Sequence, residues 1–215
     1  LAALELGKRT PQQTIFDPGY YNFGGHQFRD DKKGGHGTVD MYKSIVESCD
    51  TYYYMLANDL GIDNIAAFMG QFGFGSRTGI DIEGESQGVL PSPAWKKKRF
   101  KRPEQQRWYA GETISIGIGQ GYNTYTPIQL AQAMATLANN GVMYRPHVVK
   151  FITDTRTGAV TPIEPRPLRT IPLKPQNIEF IKHVSKILYA YHNINTCSHI
   201  YVSSFISVPD SHIAM

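Results

Sequence analysis

The sequence predicts an α+β fold in which helices flank an antiparallel sheet. Three observations carry this. The stretch "TPIQLAQAMATLANNG" carries start and stop signals for one helix. Apolar residues recur at helical spacing near residues 39–47 and 51–60. And "PHVVKFITDTRTGAVTPIEP" reads as two short strands around a Thr-Gly turn. With 215 residues, 41% of them hydrophobic, the chain can bury one sizeable core, or a core with an appendage.

The opening "LAALELG" reads as the last turns of a helix closed by Gly7. A chain that opens inside a helix, on Leu1 rather than Met, is expected to be a fragment. Residues 8–38 read as loop, rich in Gly and Asp, with a short apolar piece at 14–16. A helix over 39–47 would place Val39, Tyr42 and Ile45/Val46 on one face. A second runs over 51–60 and stops at Gly61; a third follows Asp63 as its N-cap. "GFGSRTGIDIEGES" reads as Gly-rich loop around a short strand at 79–82. In "SIGIGQGYNTYTPIQ" a strand is expected to close on a tight Gly turn. No Lys-Ser/Thr follows those glycines and the next helix starts five residues later, which argues against a nucleotide-phosphate loop. Thr126 then caps a helix, with Pro127 in its first position and Gln129 completing a capping box. Strands at 148–152 and 159–163 form the hairpin, and a last helix begins near Pro175 and includes Ile178, Ile181 and Val184.

The net charge is +4, and much of it comes from one run, "WKKKRFKRP", at 95–103. That run reads as a solvated face, with polyanion binding as the sharper alternative. Two cysteines, Cys49 and Cys197, cannot build a disulfide framework. There is no signal-peptide pattern, and no apolar stretch approaches the roughly 18–20 residues of a membrane span.

Two constellations can carry chemistry. Ser48-Cys49-Asp50 separates two apolar helical stretches. Its bland reading is a helix cap by Asp50 for a helix starting at Thr51; its sharp reading is a catalytic corner, the Ser relaying a proton and the third residue holding a substrate amide. The second set is Asp17, Asp30 or Asp31, His26, His36 and Cys49. These donor types suit a tetrahedral Zn²⁺, though their spacing matches no standard finger and solvated loop residues are the alternative.

"FDPG", "GGHGTVDMYKSIVESCDTYYYMLANDLGID", "FGFGSRTGIDIEGESQG", "WKKKRF" and "SIGIGQGYNTYTPIQLAQAMATLANNG" occur in this order. Together they resemble the transpeptidase domain of class B penicillin-binding proteins, most nearly the elongation-type penicillin-binding protein 2, over residues 1–183. The resemblance implies a serine β-lactamase/penicillin-binding transpeptidase-like fold, incomplete here, with a five-stranded antiparallel sheet between helices. It implies D,D-transpeptidation of peptidoglycan in elongation and cell-shape maintenance, in which a serine attacks a D-Ala-D-Ala bond and β-lactams block that serine. Such proteins use Ser-x-x-Lys, Ser-x-Asn and Lys-Thr/Ser-Gly motifs. Ser48-Cys49-Asp50 matches the second, with Asp in the Asn place; the other two are absent. By this likeness Ser48 passes a proton to the leaving amine and Asp50 orients the substrate or a lysine. No cofactor is required for the chemistry. A structural zinc held by Asp17, Asp30, His36 and Cys49 is implied, and with it a location on the periplasmic face of the bacterial inner membrane and a membrane glycan polymerase as partner, with no nucleic acid. Residues 184–215 depart from the family pattern and are expected to form a divergent tail. The chain alone is expected to be inactive. The alternatives are a non-catalytic, zinc-stapled polyanion- or partner-binding module, or a D-Ala-D-Ala carboxypeptidase or β-lactam sensor of the same fold.

Overall fold

The computed structural model of the protein describes residues 1–195. Cys197, His199 and His212 of the expected tail lie outside the described residues. The chain opens with α1 (Ala2–Glu5), and Gly7 follows it at φ +64°, where only a residue without Cβ is unstrained. Residues 8–38 are not plain loop. They contain β1 (Ile15–Asp17), β2 (Tyr20–Phe23), β3 (His26–Arg29) and the start of β4 (Gly37–Val39). β1 pairs antiparallel with β4, and β2 with β3 across a turn at Gly24 and Gly25. The strands were hidden because they are three or four residues long, too short to display an alternating pattern.

Val39 therefore ends a strand rather than opening a helix. Asp40 caps α2 (Met41–Val46), its carboxylate accepting the Lys43 N–H at 2.8 Å. Next come α3 (Asp50–Leu60) and α4 (Ile62–Gln71). Asp63 is not the cap of α4; Gly61 at φ +74° turns the chain, and the helix begins one residue before Asp63.

No strand forms at 79–82. The loop is instead tied by carboxylates: Glu85 accepts from the Thr78 N–H, the Thr78 hydroxyl and the Gly79 N–H. Asp81 accepts from the N–H groups of Val148 and Val149. The basic run forms α5 (Pro93–Arg99), capped by Ser92, followed by α6 (Pro103–Gln106). Lys96 departs from the solvated reading: it is 3% exposed. The stretch predicted as a strand closing on a Gly turn begins inside a helix, α7 (Ala110–Gly117). Its Ile114 and Ile116 are buried, and that apolar packing outweighs the weak helix propensity of its two glycines.

α8 (Pro127–Ala138) forms as expected, with Thr126 and Gln129 bonded reciprocally. The Gln129 side chain does more: its Nε2 donates to the carbonyls of Ser76 and Gln87, fastening the Gly-rich loop. β5 (Val142–Tyr144) pairs with β8 (Pro167–Thr170), and β6 (Phe151–Thr153) with β7 (Val160–Pro162), the expected hairpin in shorter form. The last helix, α9 (Pro175–Asn195), runs through the expected boundary at 183/184, with Val184 buried.

The architecture is α+β, helices with small antiparallel sheets. Among the described residues the strands form four two-stranded sheets; the implied five-stranded sheet is not among them. One core cluster joins α1, β1, β4, α2 and α3 through residues such as Leu4, Ile15, Val39, Cys49, Tyr52 and Leu56. A second joins α4, α8 and β5 through Phe68, Phe72, Ala133 and Met143. At about 1.5–3 kcal/mol per large apolar side chain buried, the first cluster is what holds the α2–α3 corner in place.

The α2–α3 corner: candidate active site and metal cluster

α2 ends at Val46, and the chain must reverse before α3. Ser48 performs the reversal at φ +55°, a left-handed conformation that costs a residue with a Cβ about 1–2 kcal/mol. The Cys49 N–H bonds back to the Ser44 carbonyl at 3.0 Å and locks the turn. Asp50 is thereby the first residue of α3, not its cap. The cap comes from elsewhere in the chain: the Asp30 carboxylate accepts the Thr51 N–H at 2.8 Å. A cap twenty-one residues away in sequence leaves no local signal, which is why Asp50 was the natural candidate.

Ser48 and Asp50 open onto a cavity of about 300 Å³ lined also by Ser44, Ile45, Tyr53, Gly117 and Ile118. Tyr53 lies three residues after Asp50, on the same face of α3. Its hydroxyl sits 3.3 Å from that of Ser44, whose own proton goes to the Met41 carbonyl. Burial pushes the Tyr53 phenol up to about 12. Burial, with Asp30 and Asp31 nearby, also raises Asp50. That shift moves the side chain toward the donor-and-acceptor character of Asn. Sequence reasoning missed Tyr53, Gly117 and Ile118. The helical spacing from Asp50 could have found Tyr53, but only tertiary packing brings α7 to the corner. A Cβ on Gly117 would lie 2.5 Å from the Ala57 Cβ and 2.7 Å from the Tyr53 carbonyl oxygen.

On the other side of the corner, Asp17, Asp30, His36 and Cys49 converge. One ligand atom from each lies within 4.8 Å of all the others, and all four residues are buried. His26 and Asp31, the other candidates, are exposed. His36 Nδ1 is 2.8 Å from an Asp17 oxygen and 3.4 Å from an Asp30 oxygen. Cys49 Sγ is 3.5 Å from Asp17 and 3.6 Å from Asp30. Burial alone would raise the Asp17 carboxyl, yet the nearby Thr51 side chain, the Gly19 N–H, and the His36 ring and N–H bring it down to about 2. Burial and the two carboxylates push the Cys49 thiol strongly up. Two buried carboxylates and a thiol around one imidazole form a pocket rich in donors for a cation, and a divalent ion there would compensate the carboxylates. The residues fit such an ion.

A serine beside an acidic residue at a strained helix junction, both lining a cavity, is a candidate functional site on strain and exposure to the cavity. The chain belongs to the penicillin binding protein transpeptidase domain family, which matches residues 1–193. Within that family it is similar to penicillin-binding protein 2. It is 52% identical over 138 residues to the peptidoglycan D,D-transpeptidase MrdA of Acinetobacter baumannii, covering 63% of this chain and 20% of that protein. To MrdA of Escherichia coli K12 it is 46% identical over 151 residues, 69% of this chain and 23% of the relative. The structure of Pseudomonas aeruginosa PBP2 in complex with WCK 5153 superposes with a TM-score of 0.73 at 42% identity, over 85% of this chain and 40% of that one. PBP2 of Helicobacter pylori, in its complex with MreC, gives 0.69 at 29% identity, over 92% and 33%. The chain thus spans about a fifth to a quarter of the length of these curated relatives.

Proposed function

We propose that this chain supplies the second active-site element of a serine D,D-transpeptidase that cross-links peptidoglycan stem peptides during elongation and cell-shape maintenance. The observation that carries the reading is the Ser48/Asp50 corner facing its own cavity in a member of this family. In this reading the Ser48 hydroxyl relays a proton toward the leaving amine, and Asp50 orients the substrate amide or a lysine. Support comes from Ser48, at a left-handed turn, and Asp50 both lining the cavity, with Tyr53 and Gly117 among its other lining residues. The wider reading places the protein at the periplasmic face of the inner membrane beside a glycan polymerase; no helix among the described residues is long and apolar enough to cross a membrane. The 215 residues contain neither Ser-x-x-Lys nor Lys-Ser/Thr-Gly, so acylation by this chain alone is not expected.

The test is a chimaera in which residues 1–183 replace the corresponding segment of A. baumannii MrdA. Labelling by a fluorescent penicillin is expected, and Ser48→Ala should slow it by about 10²-fold or more. A chimaera that labels equally fast with Ser48→Ala removes the proton-relay role. A covalent adduct on Ser48 in the 215-residue chain would make Ser48 a nucleophile instead.

Asp17, Asp30, His36 and Cys49 would hold a zinc ion whose part is structural, compensating the buried carboxylates and tying β1 and the loop before β4 to the corner. Metal analysis of unchelated protein should find about one zinc per chain, and Cys49→Ser should remove most of it. Zinc content unchanged by Cys49→Ser would refute this ligand set.

A further inference from the structure

We infer that the basic segment formed by α5 and the residues flanking α6 is a docking surface for the carboxylate-bearing peptidoglycan strand whose end reacts at the Ser48 cavity. The inference rests on the proposed function and extends it to how the polymer is held. Residues 96–107 contain seven Lys and Arg and one acid, Glu104, a net of +6. The whole chain carries +4, so everything outside this segment sums to −2. The chain's excess of positive charge is therefore a local feature.

Within the segment one cation is spent on structure. Lys96 is buried, paired with Glu112, bonded to the Arg107 carbonyl at 2.8 Å, and ringed by Trp108, Tyr109 and Tyr122. Glu112 in turn accepts the Tyr109 N–H and the Tyr122 hydroxyl. This network fixes the platform to the N-terminus of α7. The other six, Lys97, Lys98, Arg99, Lys101, Arg102 and Arg107, are exposed. Among the described residues none of them forms an ion pair. A segment anchored through Lys96 and presenting six exposed cations without ion pairs is unusual for a plain solvated face, where both signs are mixed.

The position selects the occupant. α7 carries the platform at its first turn and lines the cavity with Gly117 at its last. Eight helical residues span about 12 Å. A polymer reacting in a cavity of about 300 Å³ extends well beyond it, and the platform lies within reach along the same helix. Stem peptides present free carboxylates along the strand, and the forked guanidinium groups of Arg99, Arg102 and Arg107 suit them.

The test is co-sedimentation of the 215-residue chain with purified insoluble peptidoglycan. The variant carries Lys97→Gln, Lys98→Gln, Arg99→Gln, Lys101→Gln and Arg102→Gln, leaving Lys96 intact; its melting profile should match the parent's. The bound fraction is expected to fall about fivefold or more in the variant, in about 0.5 M salt, and on peptidoglycan whose carboxyls have been amidated. Equal binding by parent and variant, equal binding to amidated material, or no sedimentation at all would each overturn the inference. Tighter retention on anionic vesicles (phosphatidylglycerol) or duplex DNA than on peptidoglycan would overturn the choice of partner. Sedimentation needs no acylation, so its failure with a penicillin-reactive chimaera condemns the docking surface alone. Binding without chimaera labelling condemns the transpeptidase reading instead.

Discussion

Ser48 concentrates the conflict between stability and chemistry in one residue. Its φ of +55° costs about 1–2 kcal/mol relative to a residue without Cβ, and its hydroxyl is the group proposed to move a proton. Ser48→Gly should therefore raise the unfolding free energy of the chain by up to about 1 kcal/mol in denaturant titration. The same change should slow penicillin labelling of the chimaera as strongly as Ser48→Ala. A Gly variant less stable than the parent would mean that the Ser48 side chain makes a net stabilising contact. Asp50 shows how a local pattern can mislead. Asp before a helix is the usual cap, but Asp30 already occupies the Thr51 N–H, so Asp50 is left to face the cavity.

At the scale of elements, one contact positions the site and another tethers a hairpin away from it. α7 reaches α3 only because Gly117 presents no side chain. Gly117→Ala should push the helices apart and destabilise by about 1–3 kcal/mol, read as a lowered denaturation midpoint, because the atoms a Cβ would meet include a backbone oxygen that cannot rotate away. The β6–β7 hairpin, by contrast, is tethered by charge. The N–H groups of Val148 and Val149 hold the Asp81 carboxyl below its ordinary 3.8. A depressed carboxyl favours the tethered state above pH 3.8, and the benefit is lost as pH falls through the lower, tethered value. Amide exchange at Val148 and Val149, corrected for intrinsic rate, should lose protection over that acidic range. Asp81→Ala should show the loss at neutral pH as well.

At the scale of the molecule, the Asp17, Asp30, His36 and Cys49 cluster joins β1, the segment between β3 and β4, and the helix corner. Ligand binding to the folded state alone raises apparent stability. Chelation should lower the melting temperature of the parent, and Asp30→Ala should melt low with or without chelator. A parent whose melting is indifferent to chelator would remove the stapling role. The platform at 96–107 is the other feature of this scale, because its charge is distinctive only against the balance of the whole chain.

Local chemistry alone was sufficient for α8, whose Thr126-Pro127-x-Gln129 start needs no distant partner, and for the helices on either side of Ser48. The order of short motifs was sufficient for the family, and the donor types with that likeness named the four residues that converge beside the corner. Folding settled what no window of sequence contains. It joined Asp30 to the start of α3, brought Gly117 against Tyr53, and buried Lys96 within a run that looked uniformly solvated. It also made strands of three or four residues, which exist because a partner strand satisfies their backbone groups rather than because of their own pattern. The division follows from range: caps and periodicity act over about one helical turn, whereas caps in trans, glycine contacts and buried charges depend on which surfaces the fold presses together.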